Sequence, residues 1–125
     1  MNLLLDTHVV LWWLDDNPSL SPRARSAIAD SENLIFISAA VIWEIRIKQA
    51  IGKLQLPRNF RDILDRQPFT SLPVTADHAH AVSELPAYHR DPFDRILLAQ
   101  AKVERLTFVT RDKSLRQYRI PILDA

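Results

Sequence analysis

The chain has 125 residues, of which 16 are basic, 15 are acidic, one is glycine and none is cysteine. The lack of cysteine excludes disulfide bonds, thiolate nucleophiles and cysteine-ligated metal centres. A single glycine, Gly52, excludes the glycine-rich loops that bind phosphate groups. The length fits one domain, residues 1–125, and the near-neutral charge is not that of a strongly basic nucleic-acid binder. We expect a cytoplasmic protein without a membrane segment, because no apolar run reaches roughly 18 residues and no signal-peptide pattern is visible.

Short apolar runs alternate along the chain with patterns of helical periodicity. The predicted strands are residues 2–5, 34–37, 70–73, 106–110 and 120–123. The predicted helices are residues 7–14, 22–29, 39–50, 60–66, 76–85, 92–104 and 113–118. Ser21 and Ser38 are suitable N-caps, and Gly52 follows a helix end where glycine is favoured. Alternating strands and helices predict an α/β fold with a central, mostly parallel five-stranded sheet flanked by helices.

Two aspartates come directly after predicted strands. Asp6 follows the first strand, and Asp112 lies just beyond the fourth. The carboxyl ends of parallel strands form the ligand crevice of an open α/β sheet, so both residues are candidates for a binding site. Each aspartate also precedes a predicted helix, where aspartate is a favoured N-cap. A purely structural role therefore stays open for both.

Glu44 lies within the apolar stretch Ala-Ala-Val-Ile-Trp-Glu-Ile of a predicted helix. A carboxylate among apolar neighbours needs a partner, because burying an unpaired charge is costly. That partner is either a cation bound at a site or Lys48, which lies four residues further along the same helix.

Asp91 and Asp94 lie at the start of the helix that begins at Pro92. Asp91 occupies the position of an N-cap, and Asp94 lies in the first turn, where an acid also suits the helix dipole. Asp94 shares a helical face with Leu97 and Leu98, which predicts that it points toward the packed side of the helix. The sequence allows either aspartate to be the third acid of a site.

Four acids are thereby expected at one edge of the sheet: Asp6, Glu44, Asp94 and Asp112. Carboxylates within about 5 Å of one another repel by roughly 3 kcal/mol per pair at an effective dielectric near 20, so such a cluster needs a cation. Oxygen ligands without cysteine favour Mg²⁺ or Mn²⁺. A metal ion of this kind activates water for phosphodiester hydrolysis. With these acids in a pocket, the rest of the chain has a surplus of basic residues that RNA can approach.

Four segments of the chain together resemble a known family. They are, in order, Leu-Leu-Leu-Asp-Thr-His, Ile-Ser-Ala-Ala-Val-Ile-Trp-Glu-Ile, His-Arg-Asp-Pro-Phe-Asp-Arg-Ile-Leu-Leu-Ala-Gln-Ala and Thr-Phe-Val-Thr-Arg-Asp. In this order and at this chain length they resemble the PIN-domain family, and within it the VapC-type ribonuclease toxins of bacterial toxin–antitoxin systems. The resemblance implies a PIN-like three-layer fold and a metal-dependent endoribonuclease.

The resemblance also implies roles for the acids. Asp6, Glu44 and Asp94 match the core metal-binding acids of the family. Asp112 matches a more variable fourth acid, and Asp91 is the alternative to Asp94 as the third.

The resemblance also implies roles for small polar residues and the identity of binding partners. By resemblance, Thr7, Ser38 and Thr110 match small polar positions that order the acids or their waters. The resemblance further implies a homodimer and a small VapB-type antitoxin that blocks the site. The alternative is a non-catalytic PIN-like module that binds RNA or protein and whose acids only cap helices.

Basic residues near the acids are candidates for contacts with the phosphates of RNA. Arg90, Arg95 and Arg111 flank the acids in sequence, although a solvated arginine is the alternative at each position. His8 and His89 are candidates for the mouth of the site.

Overall fold

The computed structural model of the chain describes residues 1–88 and 90–125. Its strands are β1 (Asn2–Leu5), β2 (Leu34–Ser38), β3 (Thr70–Leu72), β4 (Thr107–Thr110) and β5 (Ile122–Asp124). Its α-helices are α1 (Thr7–Leu14), α2 (Pro22–Ala29), α3 (Ala39–Ala50), α4 (Phe60–Asp65), α5 (Ala76–Ala81) and α6 (Pro92–Glu104). Two 3₁₀ helices cover Val82–Glu84 and Lys113–Tyr118.

The five strands form one sheet in the order β3-β2-β1-β4-β5, and every pair of neighbours is parallel. The predicted five-stranded α/β fold is confirmed, and the sheet is wholly rather than mostly parallel. The chain runs outward from β1 in one direction to β2 and in the other to β4, so the strand order reverses beside β1. A crevice at the carboxyl ends of the strands is expected at such a reversal.

The central strand β1 is buried on both of its faces. Leu3, Leu4 and Leu5 are consecutive and all fully inaccessible to solvent. Because successive side chains of a strand point to opposite faces, both faces of the sheet must be covered by other elements. The described residues share one apolar core to which helices and strands both contribute. None of the described helices combines the length and the apolar character that a membrane span requires.

The predicted helix ends rest on local capping interactions. The Ser21 hydroxyl accepts a 3.1 Å hydrogen bond from the Ala24 N–H, and the Ser38 hydroxyl accepts one of 3.0 Å from the Ala40 N–H. Gly52 follows α3 with a φ of 75°, a conformation that glycine adopts without strain. These caps place the start of α2 and both ends of α3 where the sequence predicts them.

Helix α5 is shorter than predicted. The α-helix ends at Ala81, and the following residues form a 3₁₀ turn before Pro86. The Arg95 guanidinium donates hydrogen bonds of 3.1 Å, 3.3 Å and 2.8 Å to the carbonyls of Val82, Leu85 and Pro86. A longer α5 is disfavoured because the residue before proline prefers an extended conformation and because Arg95 uses these carbonyls.

The C-terminal elements also differ in detail from the prediction. The helix predicted for residues 113–118 is a 3₁₀ helix, and β5 begins two residues later than expected. Pro121 has no N–H to donate to the sheet, and its carbonyl accepts a 2.8 Å hydrogen bond from the Phe108 N–H before β5 begins.

Candidate active site

A pocket of about 440 Å³ opens at the carboxyl ends of the central strands. It brings together all four predicted acids, together with the alternative acid Asp91. Its lining residues are Asp6, Thr7, His8, Trp12, Glu44, Lys48, Asp91, Asp94, Arg111 and Asp112. We call this cavity the acidic pocket.

Asp6 both caps a helix and faces the acidic pocket. Its Oδ1 accepts a 2.7 Å hydrogen bond from the Thr7 N–H at the start of α1. Its Oδ2 accepts a 2.7 Å hydrogen bond from the hydroxyl of Thr110 at the end of β4. Burial raises the pKa of Asp6 above its usual range, although these hydrogen bonds oppose the shift. The two interpretations of this residue, as a cap and as a site acid, are therefore compatible.

Asp112 is positioned by the same threonine. The Thr110 side chain is almost fully buried, and its hydroxyl oxygen accepts a 3.1 Å hydrogen bond from the Asp112 N–H. Asp112 in turn caps the 3₁₀ helix that follows, where its Oδ1 accepts from the Ser114 N–H at 3.0 Å. One buried hydroxyl thus fixes the carboxylate of Asp6 and the backbone of Asp112.

Glu44 reaches the acidic pocket from α3, and its side chain is 13% exposed. The Thr7 hydroxyl donates a hydrogen bond to its Oε1. The Lys48 ammonium lies 3.2 Å from its Oε2. The salt bridge with Lys48 that the sequence allowed is present. Both of its residues line the acidic pocket, so the salt bridge does not exclude a site role for Glu44.

The structure assigns different local roles to Asp91 and Asp94. Asp91 is the N-cap of α6, where its Oδ1 accepts hydrogen bonds of 2.8 Å and 3.3 Å from the Phe93 and Asp94 N–H groups. Asp94 lies one turn further on and is half-buried in the pocket. Burial and then repulsion by Asp6, followed by the other acids, raise its pKa to about 7.

The charges of the acidic pocket are unbalanced. Five carboxyl groups line it, whereas its lysine and arginine side chains are Lys48 and Arg111. Burial, together with repulsion among these carboxyl groups, raises the pKa of Asp94. The donor set, made of carboxylate oxygens, fits a hard divalent cation. Within residues 1–88 and 90–125, no three acidic or histidine side chains are already arranged around an ion position, so binding requires side-chain adjustment.

The three small polar residues do not share one environment. Thr7 and Thr110 both donate to acids of the pocket. Ser38 is fully buried at the end of β2 and caps α3, and it is not a lining residue of the pocket. Its contribution to the site is therefore through the start of the helix that carries Glu44.

Of the three arginines considered for RNA contacts, Arg111 alone lines the acidic pocket. Its guanidinium lies 4.4 Å from the ring centroid of Trp12 and donates to the Ala125 carbonyl at 3.1 Å and 3.0 Å. Arg90 and Arg95 instead line a separate, largely apolar pocket between α3 and α6. The bonds that join Arg95 to backbone carbonyls explain its place there, and contact with RNA stays a prediction for all three.

Some residues of the pocket were not singled out from the sequence. Trp12 lies four residues after His8 on α1, with a ring-centroid separation of 5.8 Å, and both line the pocket. That i, i+4 spacing was the available signal. The predicted placement of His8 at the site is confirmed, whereas His89 lies outside the described residues.

A family model for the PIN domain matches residues 3–121. The chain belongs to the PIN-domain family. Ribonuclease VapC22 of Mycobacterium tuberculosis (strain ATCC 25618 / H37Rv) is 31% identical to it over an alignment of 132 positions. The alignment covers 95% of this chain and 93% of that protein.

Solved structures share the fold of this PIN domain. VapBC2 from Rickettsia felis, bound to a DNA fragment from its promoter, matches with a TM-score of 0.76 and 17% identity, covering 99% of this chain and 98% of that chain. DNA-bound VapBC from Salmonella typhimurium matches with a TM-score of 0.75, 17% identity and the same coverage, 99% and 98%. At these identities, the likeness is one of fold.

Proposed function

We propose that this PIN domain is a metal-dependent endoribonuclease and the toxin of a VapBC-type toxin–antitoxin system. The observation that carries the proposal is the convergence of five carboxyl groups in one pocket, with the pKa of Asp94 raised to about 7. Acidic residues in a cleft whose pKa values are strongly shifted are typical of catalytic sites. The similarity to a protein named a ribonuclease supports RNA as the substrate.

Four acids would hold a Mg²⁺ or Mn²⁺ ion: Asp6, Glu44, Asp94 and Asp112. When bound, such an ion supplies an activated water and stabilises the charge that develops on the phosphate. Asp91 contributes chiefly by fixing the first turn of α6, because its Oδ1 is used by two backbone N–H groups.

Hydrogen bonds within the chain orient two of the acids, Asp6 and Glu44. Thr110 orients Asp6, and Thr7 orients Glu44, each by a hydrogen bond from the hydroxyl of an almost fully buried threonine. Fixed orientation limits the reorganisation needed during the reaction. Lys48 and Arg111 add positive charge at the same pocket, which favours the approach of a phosphodiester.

The partners follow from the same assignment. Two similar structures are VapBC assemblies bound to DNA. For this chain we infer a small VapB-type antitoxin that blocks the acidic pocket, a homodimeric toxin and a cytoplasmic location.

The direct test is cleavage of total RNA by the purified protein with millimolar Mg²⁺ or Mn²⁺, compared with EDTA. Asp6→Asn is the matched variant, because asparagine keeps the N-cap of α1 while removing the negative charge. Cleavage that requires metal and is lost in Asp6→Asn supports the proposal. Equal cleavage by the two proteins contradicts it.

A second candidate is a non-catalytic RNA- or protein-binding module. The observation in its favour is that Asp6, Asp91 and Asp112 each cap a helix. If capping were their whole role, divalent metal would leave the melting temperature unchanged. A metal-bound native state is instead stabilised in proportion to the logarithm of metal concentration.

A further inference from the structure

Lys48 is the partner of one proposed metal ligand. Its ammonium lies 3.2 Å from Glu44 Oε2, while the Thr7 hydroxyl bonds the other oxygen of the same carboxylate. Both oxygens of Glu44 are therefore already used by groups of the chain. A metal ion that takes Glu44 as a ligand is repelled by the Lys48 ammonium, which attracts the same carboxylate.

Arg111, the arginine of the acidic pocket, has different partners from Lys48. Arg111 lies over Trp12 and donates to the Ala125 carbonyl, so its guanidinium is fixed by two partners outside the acids. The Lys48 side chain is 36% exposed and ends in a flexible, compact ammonium group. Lys48 can change partner without any movement of the backbone, whereas Arg111 is anchored.

We propose that Lys48 is a substrate-binding residue that exchanges partners: it pairs with Glu44 in the metal-free pocket and contacts a phosphate oxygen of RNA once Glu44 binds metal. The inference rests on the proposed function. Like charges close together repel strongly in a partly buried site, so the ammonium moves away from a divalent ion. A lysine that loses its carboxylate partner beside an anionic substrate has a phosphate oxygen as its next partner.

The first test measures metal binding without any reaction. Mn²⁺ affinity is determined by calorimetry for the wild type, Lys48→Met, Lys48→Gln and Lys48→Arg. Lys53→Met is the matched control, because Lys53 is exposed and is not a lining residue of the pocket. We expect the two neutral variants to bind Mn²⁺ about tenfold more tightly, since a competing cation is removed. We expect Lys48→Arg and Lys53→Met to match the wild type.

The second test measures RNA cleavage at saturating Mn²⁺. The neutral variants are expected to raise KM about tenfold with a smaller change in kcat, because the lost contact is with bound substrate. Lys53→Met is expected to keep both values. A merely structural salt bridge would not combine tighter metal binding with weaker substrate binding.

The outcomes separate the two proposals. In one outcome, the wild type binds Mn²⁺ and cleaves RNA, but the neutral Lys48 variants match Lys53→Met in either test. The proposal for Lys48 is then wrong, and the proposed function stands. If the wild type neither binds Mn²⁺ nor cleaves RNA, both proposals are overturned.

Discussion

Thr110 and Asp6 are joined by a 2.7 Å hydrogen bond between the ends of β4 and β1. These two strands are neighbours in the sheet, so the bond links two positions that the fold already places side by side. The same hydroxyl accepts the N–H of Asp112 at 3.1 Å. The local order of the acidic pocket therefore depends on a residue that carries no charge.

Thr110→Val tests this dependence. Valine has nearly the same shape but leaves Asp6 Oδ2 and the Asp112 N–H without the hydroxyl. We expect the free energy of unfolding to fall by about 1–3 kcal/mol and RNA cleavage to fall at least roughly tenfold. Urea unfolding and cleavage rates check both effects. Thr107→Val, in the same strand but outside the pocket, is the control, and an equal loss of activity in that variant would argue against a specific role for Thr110.

The raised pKa of Asp94 predicts a pH dependence of stability in the metal-free protein. Between its usual value of 3.8 and its folded value of about 7, Asp94 binds a proton more tightly in the folded chain than in the unfolded chain. The free energy of unfolding therefore decreases as pH rises through this range. Asp94→Asn cannot ionise, so at about pH 8 we expect it to be more stable than the wild type by roughly 1–2 kcal/mol, allowing for solvent screening.

Urea unfolding in EDTA across this pH range measures the effect. The pKa of Asp6 is also raised, so it contributes a decrease in the same direction. The fall in the free energy of unfolding with pH should therefore become smaller in Asp94→Asn without disappearing. Asp124→Asn is the control, because the hydrogen bond from Arg116 lowers the pKa of that exposed aspartate instead. Its contribution is lost only as pH falls toward the acid range. If the free energy of unfolding changed equally with pH in Asp94→Asn and in the wild type, Asp94 would not be the cause of the pH dependence.

Substitutions at Asp91 and at Asp94 are expected to have different effects on stability and on RNA cleavage. Asp91→Asn keeps an N-cap side chain and should retain wild-type stability and most RNA cleavage, whereas Asp91→Ala should lose about 1 kcal/mol of stability. Asp94→Asn should lose cleavage without losing stability. Thermal unfolding and cleavage assays on the three variants distinguish these patterns. Abolition of cleavage by Asp91→Asn would make Asp91 the third acid instead.

The sequence predicted most of the fold because its local signals agree with one another. The cap Ser21, the cap Ser38 and the helix-ending Gly52 place helix ends to the residue. The boundaries that were wrong have local causes at Pro86 and Pro121 as well as distant ones. The early end of α5 reflects Arg95, whose partners on residues 82–86 are brought near only by tertiary packing.

The candidate site was predictable to the level of residue type and sheet edge. Asp6 and Asp112 follow strands, and parallel strands end at a common edge. The interactions around them were not predictable, because the link from Thr110 to Asp6 spans 104 positions of sequence. Capping and site roles also looked like alternatives in the sequence, whereas Asp6 caps α1 and lines the acidic pocket at the same time.

Cleavage of a single-stranded RNA as a function of Mn²⁺ concentration tests the central claim most directly. The wild type is expected to show no cleavage in EDTA and a saturable increase with metal. Asp94→Asn should remain at least about a thousandfold slower at every concentration, since it lacks one proposed metal ligand and one negative charge of the pocket. Metal-independent cleavage by the wild type, or wild-type rates in Asp94→Asn, would contradict the account of the acidic pocket as a metal-dependent nuclease site.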